Sequence, residues 1–350
     1  MSEKGLNSDQ KLYSSHINDI FDTVDITIHI EDIGGFDLDD SDNDGLDFEQ
    51  ENNYNVVNFS FDNGYEDEAL KDIFKEIKTK VCADNSNEEK RYSEKRDGWS
   101  AFYLIKELVE KIETQIKEGE TLFYRGQNNN WSLEPSAYRS GTGGYKTEYR
   151  DEFDSIYKNI AYRYPEKVKY YGLGKKKRVF ALAELQHYGL PTPLIDLTDN
   201  PFIAMLFMVD GFDYKIFSKN SSSSPEFDIF IIDKEKHSLY QDVPKNRNNP
   251  RIDAQRGSFL NFENLVIDGS VEPIKRIRVL FKNFDDAEVE SANGTESNIQ
   301  NAFDGLASDI KLKLSQFHYD GSELYPDFDK YLEYTKSRYR PNFVKARLDQ

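Results

Sequence analysis

The sequence holds a single cysteine, Cys82, among 350 residues. One thiol cannot close an internal disulfide, so no covalent framework is expected and a reducing cytoplasm is the expected compartment. No apolar run approaches the ~18 residues that a membrane-crossing helix requires, so no membrane partner is expected. The opening "MSEKGLNSDQ" has neither a basic n-region nor an apolar h-region, which argues against the common secretory signal. Internal repeats are absent. So is any overall basic excess: the net charge is −19, which disfavours nucleic acid as a partner, because phosphate contacts need a surplus of Lys and Arg.

The charge is uneven. Residues 1–70 carry 19 acids against two lysines, whereas the remaining residues carry 45 acids and 43 bases and are nearly neutral. Hydrophobic residues make up 37% of the chain, and aromatic content of 14% is enough to build a substantial core. The length suits two ordinary domains or one large domain with an appendage.

Within the acidic segment, "TVDITIHI" (23–30) and "YNVVNFSF" (54–61) alternate apolar and polar residues, the period of half-buried strands, and the two are expected to pair. Residues 83–98 have almost no apolar content and read as a linker. Ile105, Leu108, Val109, Ile112 and Ile116 recur at helical spacing, predicting a helix over 100–118 with Ser100 as N-cap and Gly119 past its end. "TLFYRG" follows as a strand. Further helices are predicted over 145–164, 178–188 and 201–211, and strands over 227–233 and 274–281. The expected class is α+β, with mixed helices around a small sheet in one main domain and a small acidic β-rich N-terminal module. The expected boundaries are 1–70 for that module, 71–96 for a helix and charged linker, 97–340 for the main domain and 341–350 for a tail.

Four motifs fall in one order: "FYRGQ" (123–127), "LQHYGLPTPLIDLTDNPFIAMLF" (185–207), "PRIDAQRGSF" (250–259) and "LYPDFDKY" (324–331). In this order they resemble the FRG domain family of bacterial and phage proteins, over roughly residues 97–335. Pro193 stands where that family usually has Arg, and Leu197 where it usually has Trp. Arg125 is also similar in placement to the first-strand arginine of ADP-ribosyltransferases, which grips the phosphate of NAD. These resemblances imply a polar pocket for a nucleotide-like ligand, with NAD as a candidate cofactor and a role in defence or toxicity. The alternative is a ligand-sensing or protein-interaction module without chemistry, whose acidic extension docks a protein partner.

Read residue by residue, Arg125 either holds a phosphate or carboxylate bidentately or is structural, in a buried ion pair with Asp196 or a carbonyl network. Gly126 beside it lets a backbone or a phosphate come close. His187 falls in the last turn of one helix and Asp196 shortly before the next, so the two form a candidate acid/base pair; the alternative is that His187 satisfies a carbonyl and Asp196 anchors the loop. No Cys or second His stands at ligand spacing from His187, which argues against zinc. Tyr124, Gln127, Thr192 and Thr198 are candidate binding residues in the same motifs. Arg251 and Gln255 share a face if their stretch is helical. "GLGKKKRVF" (172–180) is the one compact basic patch, a nucleic-acid candidate or a solvated loop. In the acidic segment, Asp40, Asp42, Asp44 and Glu51 occupy positions one, three, five and twelve of a calcium-loop template, with Gly45 at six.

Overall fold

The computed structural model describes residues 20–32, 54–62, 65–85, 100–139, 144–212, 224–242, 254–265, 272–283, 296–320 and 332. The calcium-template residues Asp40, Asp42, Asp44 and Glu51, together with Arg251 and the 324–331 motif, lie outside the described residues. In chain order the elements are β1 (Phe21–Asp32), β2 (Tyr54–Phe61), α1 (Glu68–Asn85), α2 (Ala101–Glu113), β3 (Glu120–Gln127), a 3-10 turn (Ser136–Tyr138), α3 (Thr147–Asp151), α4 (Phe153–Arg163), α5 (Lys176–His187), β4 (Leu194–Thr198), α6 (Pro201–Val209), β5 (Glu226–Asp233), β6 (Tyr240–Asp242), β7 (Gly257–Asn261), β8 (Ile274–Asn283) and α7 (Glu296–Gln316). The class is α+β. No described helix is long and apolar enough to cross a membrane.

The eight strands form one mixed sheet in the order β2-β1-β8-β5-β3-β4-β7-β6. β1 and β2 pair antiparallel, as their alternation predicts. They do not stand apart as a module, however. β1 runs parallel to β8, in register from Phe21 opposite Ile274 to Ile30 opposite Asn283. The sheet is therefore larger than expected and crosses the boundary drawn at residue 70. The cause is visible in the alternation itself. Val24, Ile26, Ile28 and Ile30 form an unbroken buried row that must be covered, whatever the charge of the segment around it.

One face of the sheet is covered by α1, α2, α6 and α7, which share a core with β1, β2 and the apolar rows of β3, β5 and β8. The other face packs Phe123, Ile195, Leu197, Phe230 and Phe262 beneath the loops. A third cluster joins α4 and α5 to Leu194 and Phe259. Ser100 caps α2, its Oγ accepting from Tyr103 N, a contact worth about 1 kcal/mol. That helix ends at Glu113, short of the predicted 118, because Gly119 (φ 92°) serves the turn into β3 instead. The predicted 145–164 helix is two helices, α3 and α4, broken at Glu152 (φ −97°, ψ 3°).

The apolar helix α6 crosses β3 at unusually close range, and Gly126 is the reason. A Cβ built on Gly126 would lie 1.8 Å from the Ala204 carbonyl oxygen and 2.7 Å from Met208 N. Both obstacles are helix backbone, which cannot rotate aside. The near approach that Gly126 permits is therefore that of α6. Gly126→Ala is expected to displace α6 and lower stability by about 3 kcal/mol or more, at the upper end of overpacking costs. A urea titration of the variant checks this, and a midpoint unchanged from wild type would refute the close-packing account.

Candidate functional site

β3 pairs along its full length with β5, from Glu120 opposite Asp233 to Gln127 opposite Glu226. β4 pairs along its full length with β7. Between β3 and β4 there is a single register pair, Tyr124 opposite Thr198. The sheet is thus two leaves joined at one point, and beyond that point the strands splay. A cavity of about 370 Å³ occupies the splay. β3 lends it Tyr124, Arg125 and Gly126; β4 lends Asp196, Leu197 and Thr198. α5 adds Ala183, Gln186 and His187, while α6 contributes Phe207 and the β7 hairpin Gln255, Gly257, Ser258 and Phe259.

Seven residues expected from the sequence therefore meet at one cavity: Tyr124, Arg125, Gly126, His187, Asp196, Thr198 and Gln255. Two do not line it. Thr192 is fully buried, and its hydroxyl donates to Gln186 Oε1. Gln127 is buried on the neighbouring part of β3, where its amide donates to Trp131 O at 2.9 Å and to Glu226 Oε1 at 3.0 Å. Gln255 lies in the turn entering β7 rather than on a helix. Its carbonyl accepts from Thr198 Oγ1 at 2.8 Å, so the Thr198 hydroxyl serves to pin that turn.

Arg125 Nη1 donates to the backbone carbonyl of Asp196 at 3.0 Å, across the splay. The alternative of a structural pair between the two residues thus takes the form of a bond to the main chain and not to the carboxylate. Arg125 Nε is buried with no hydrogen-bond partner among the described residues. Asp196 keeps its carboxylate for another side chain, since Gln186 Nε2 donates to both of its oxygens at 2.7 and 2.8 Å. The Thr192 hydroxyl, by occupying Gln186 Oε1, fixes which way that amide faces. Gln186 escaped the sequence reading because a polar residue in a helix signals nothing until its partner is known. His187 reaches the cavity from the last turn of α5, its ring edge-on to Tyr188 with centroids 5.3 Å apart. Gly189 (φ 87°) ends that helix in the left-handed region, and Leu190 N closes the turn on Leu185 O. Tyr124 is held above the usual tyrosine range, chiefly by burial, so its phenol stays protonated. Asp199, beside the site, is neutralised by Arg256, with Nε and Oδ1 2.6 Å apart.

Behind Arg125 lies a buried ionic network. Arg125 stands opposite Asp228 on β5, Asp228 opposite Arg278 on β8, and Arg278 opposite Asp25 on β1, so charges alternate across four strands. Arg276 donates from Nε to Asp228 and from Nη2 to Glu226, each at 2.7 Å. Two carboxyls therefore share one guanidinium. Burial, and after it the charge of Asp228, push Glu226 from 4.5 up to about 8. With Glu226 protonated, less negative charge is buried beside the one guanidinium that the two carboxyls share.

The basic stretch at 172–180 has a different fate. Arg178 is 2% exposed, clamped by Glu263 through Nε and Nη2 at 2.7 Å and by Asp154 at 2.8 Å, with the Tyr157 ring 5.0 Å away. It is a structural cross-link between α4, α5 and the end of β7. That removes the strongest cation from the proposed nucleic-acid patch.

The chain is thus an α+β protein with a polar cavity at a splayed seam of its sheet. Residues 120–215 match the family model described as FRG domain, so the chain carries an FRG domain there. The matched segment begins at the first residue of β3 and runs past α6. It contains the arginine strand, the α5–β4 bend and the helix packed on Gly126, and it is shorter than the expected 97–335. Neither a curated protein nor a solved structure matches the chain.

The protonated Glu226 yields a pH prediction. The folded chain holds a proton that the unfolded chain releases above pH 4.5, so this group's contribution is complete below 4.5 and is lost as pH rises to about 8. The slope is at most about 1.4 kcal/mol per pH unit. Glu226→Gln mimics the neutral acid, and the difference in unfolding free energy between variant and wild type should grow in the variant's favour across that window. A difference that stays flat with pH would show that Glu226 is ionised in the fold.

Proposed function

We propose that the cavity is a binding site for a small nucleotide-like molecule, with Arg125 as its anchor for an anionic group. One observation carries this reading: a guanidinium at the splay has a buried Nε with no acceptor among the described residues. A buried donor left without an acceptor costs about 1–3 kcal/mol, and more when charged. A ligand phosphate or carboxylate relieves that cost with a charge-assisted bond. Around the guanidinium, the rings of Tyr124, Phe207 and Phe259 offer apolar surface for a base or nicotinamide, and Gln255 offers an amide. Such a mix of apolar walls and few polar groups is what small-ligand pockets use.

Titration calorimetry of the full chain with NAD, ADP-ribose and ADP tests this. The expected result is saturable binding that Arg125→Ala weakens about 10- to 100-fold while its melting curve stays close to wild type. Failure of all three ligands to bind would overturn the reading.

The placement of Asp196 favours a second reading, an NAD-using transferase or hydrolase. Its carboxylate, oriented by Gln186, lies in the same cavity as Arg125 and His187, where an anion can stabilise positive charge developing on a ribose. Release of nicotinamide from labelled NAD in the presence of lysate acceptors is then expected, and Asp196→Asn should lower it at least ~100-fold without loss of NAD affinity. Binding without turnover would leave the site a sensor.

A further inference from the structure

We propose that the surface running from the end of α4 to the start of α5 is a docking site for single-stranded nucleic acid, separate from the cavity at the splay. Between residues 158 and 177 the chain carries seven bases, Lys158, Arg163, Lys167, Lys169 and the lysines at 175–177, against one acid, Glu166. All seven are exposed. Among the described residues none of them makes an ion pair, since the acids of this region go instead to Arg150 and Arg178. A chain of net charge −19 thus leaves a group of cations unneutralised in one place. Like charges held together repel, and a polyanion laid across them relieves that cost.

The fold gathers these bases from both sides of a turn. The Tyr157 hydroxyl on α4 accepts from Tyr171 N at 3.0 Å and donates to Lys169 O at 2.5 Å, so the segment after α4 doubles back on the helix. Lys158 Nζ thereby lies 5.9 Å from the centre of the Tyr170 ring. Arg178 completes the bracket from α5, donating through Nη1 to Tyr171 O at 2.6 Å and to Asp154 at 2.8 Å. It is withdrawn from the surface yet holds together the elements that carry the exposed bases. At the α5 end the surface opens on a groove of about 520 Å³, lined by Lys175, Lys176 and Lys234 and by the amides of Gln241 and Asn264; Glu235 and Asp242 also border it. The lysines do nothing for α5 itself. No side chain caps that helix and no acid stands in its first turn, so Lys176 and Lys177 occupy the positive pole of the dipole.

Exposed rings stand among the bases, and they decide the kind of polyanion. Tyr162 is 89% exposed, Tyr164 46% and Tyr170 37%, and the Arg163 guanidinium lies 5.6 Å from the centre of the Tyr164 ring. A single strand offers phosphates to the lysines and base faces to the tyrosines at once. A duplex hides its base faces, and an acidic peptide has none. The acidity of the rest of the chain does not cancel the patch, because charges more than about 8 Å apart are largely screened at physiological salt.

Fluorescence anisotropy of the full chain with a labelled oligo(dT) of about 20 nucleotides tests this, with poly-glutamate and a duplex of the same length as comparators. Saturable binding of oligo(dT) is expected at ~50 mM salt, with log Kd rising against log salt at a slope of about 3 to 5, as for about 4 to 7 phosphates met. Lys176→Glu combined with Lys177→Glu should weaken it at least ~10-fold and lower the slope by about 1 to 2. Acids suit that helix end, so the melting curve of this variant should not fall. Tyr162→Ala should weaken oligo(dT) at least ~5-fold with the slope unchanged, and it decides the matter if the lysine variant melts early. Absence of binding at ~50 mM salt, or binding indifferent to these substitutions, overturns the proposal. Poly-glutamate or duplex bound as tightly as oligo(dT), with Tyr162→Ala silent, overturns it in favour of an acidic protein segment or a duplex respectively. None of these outcomes bears on the cavity, whose ligands are tested separately.

Discussion

Everything at the candidate site follows from the single register pair of Tyr124 with Thr198. Had β3 and β4 paired along their lengths, Arg125, Leu197 and Asp196 would lie in a closed ladder and no cavity would exist. Instead each strand is fully committed on its other side, β3 to β5 and β4 to β7. The two leaves hold their own geometry, and the gap between them is stable because neither can close it without giving up pairing elsewhere. The α6 helix reinforces this by lying directly on Gly126, behind the opening.

The electrostatics are arranged to keep a guanidinium at that opening. Asp228 opposite Arg125 supplies negative potential from within the sheet, yet its carboxylate is bound to Arg276. No hydrogen bond joins Arg125 to Asp228 among the described residues. The neutral Glu226 matters here, since a second ionised carboxylate in the same row would compete for Arg125 and draw it away from the splay. Gln127 links the two halves of this arrangement, because its amide bonds both Glu226 and the carbonyl of Trp131 in the loop that leads toward the 3-10 turn. The aligned "RGQ" of β3 thus has three separate tasks: a charge at the opening, a gap for a helix, and a tie to the buried network.

Much of this was legible in the chain. Element type followed from period at "TVDITIHI", at "FDIFIID" and through the α2 helix, because a single buried face leaves a clear repeat. The convergence of Arg125, His187 and Asp196 on one site was legible from the proline-stiffened bend that joins two helix ends. What failed was long-range. Nothing local in residues 21–30 reveals a parallel partner some 250 residues later, and the charge around them suggested separation instead. The short strands β6 and β7 carry too few residues to show a period. Thr192 and Gln127 were read as facing a ligand because polar residues in a motif look alike whether they meet solvent or each other. Gln186 was invisible for the converse reason, since only the fold gives it Asp196 as a neighbour.

The parallel β1–β8 contact has a further consequence for how the chain is made. β1 leaves the ribosome long before its companion, and the backbone groups along one of its edges stay unpaired until residues 274–283 emerge. Such a wait exposes a strand to sticking with other nascent chains. The surplus of negative charge in the first 70 residues opposes such contacts, because like-charged chains repel one another.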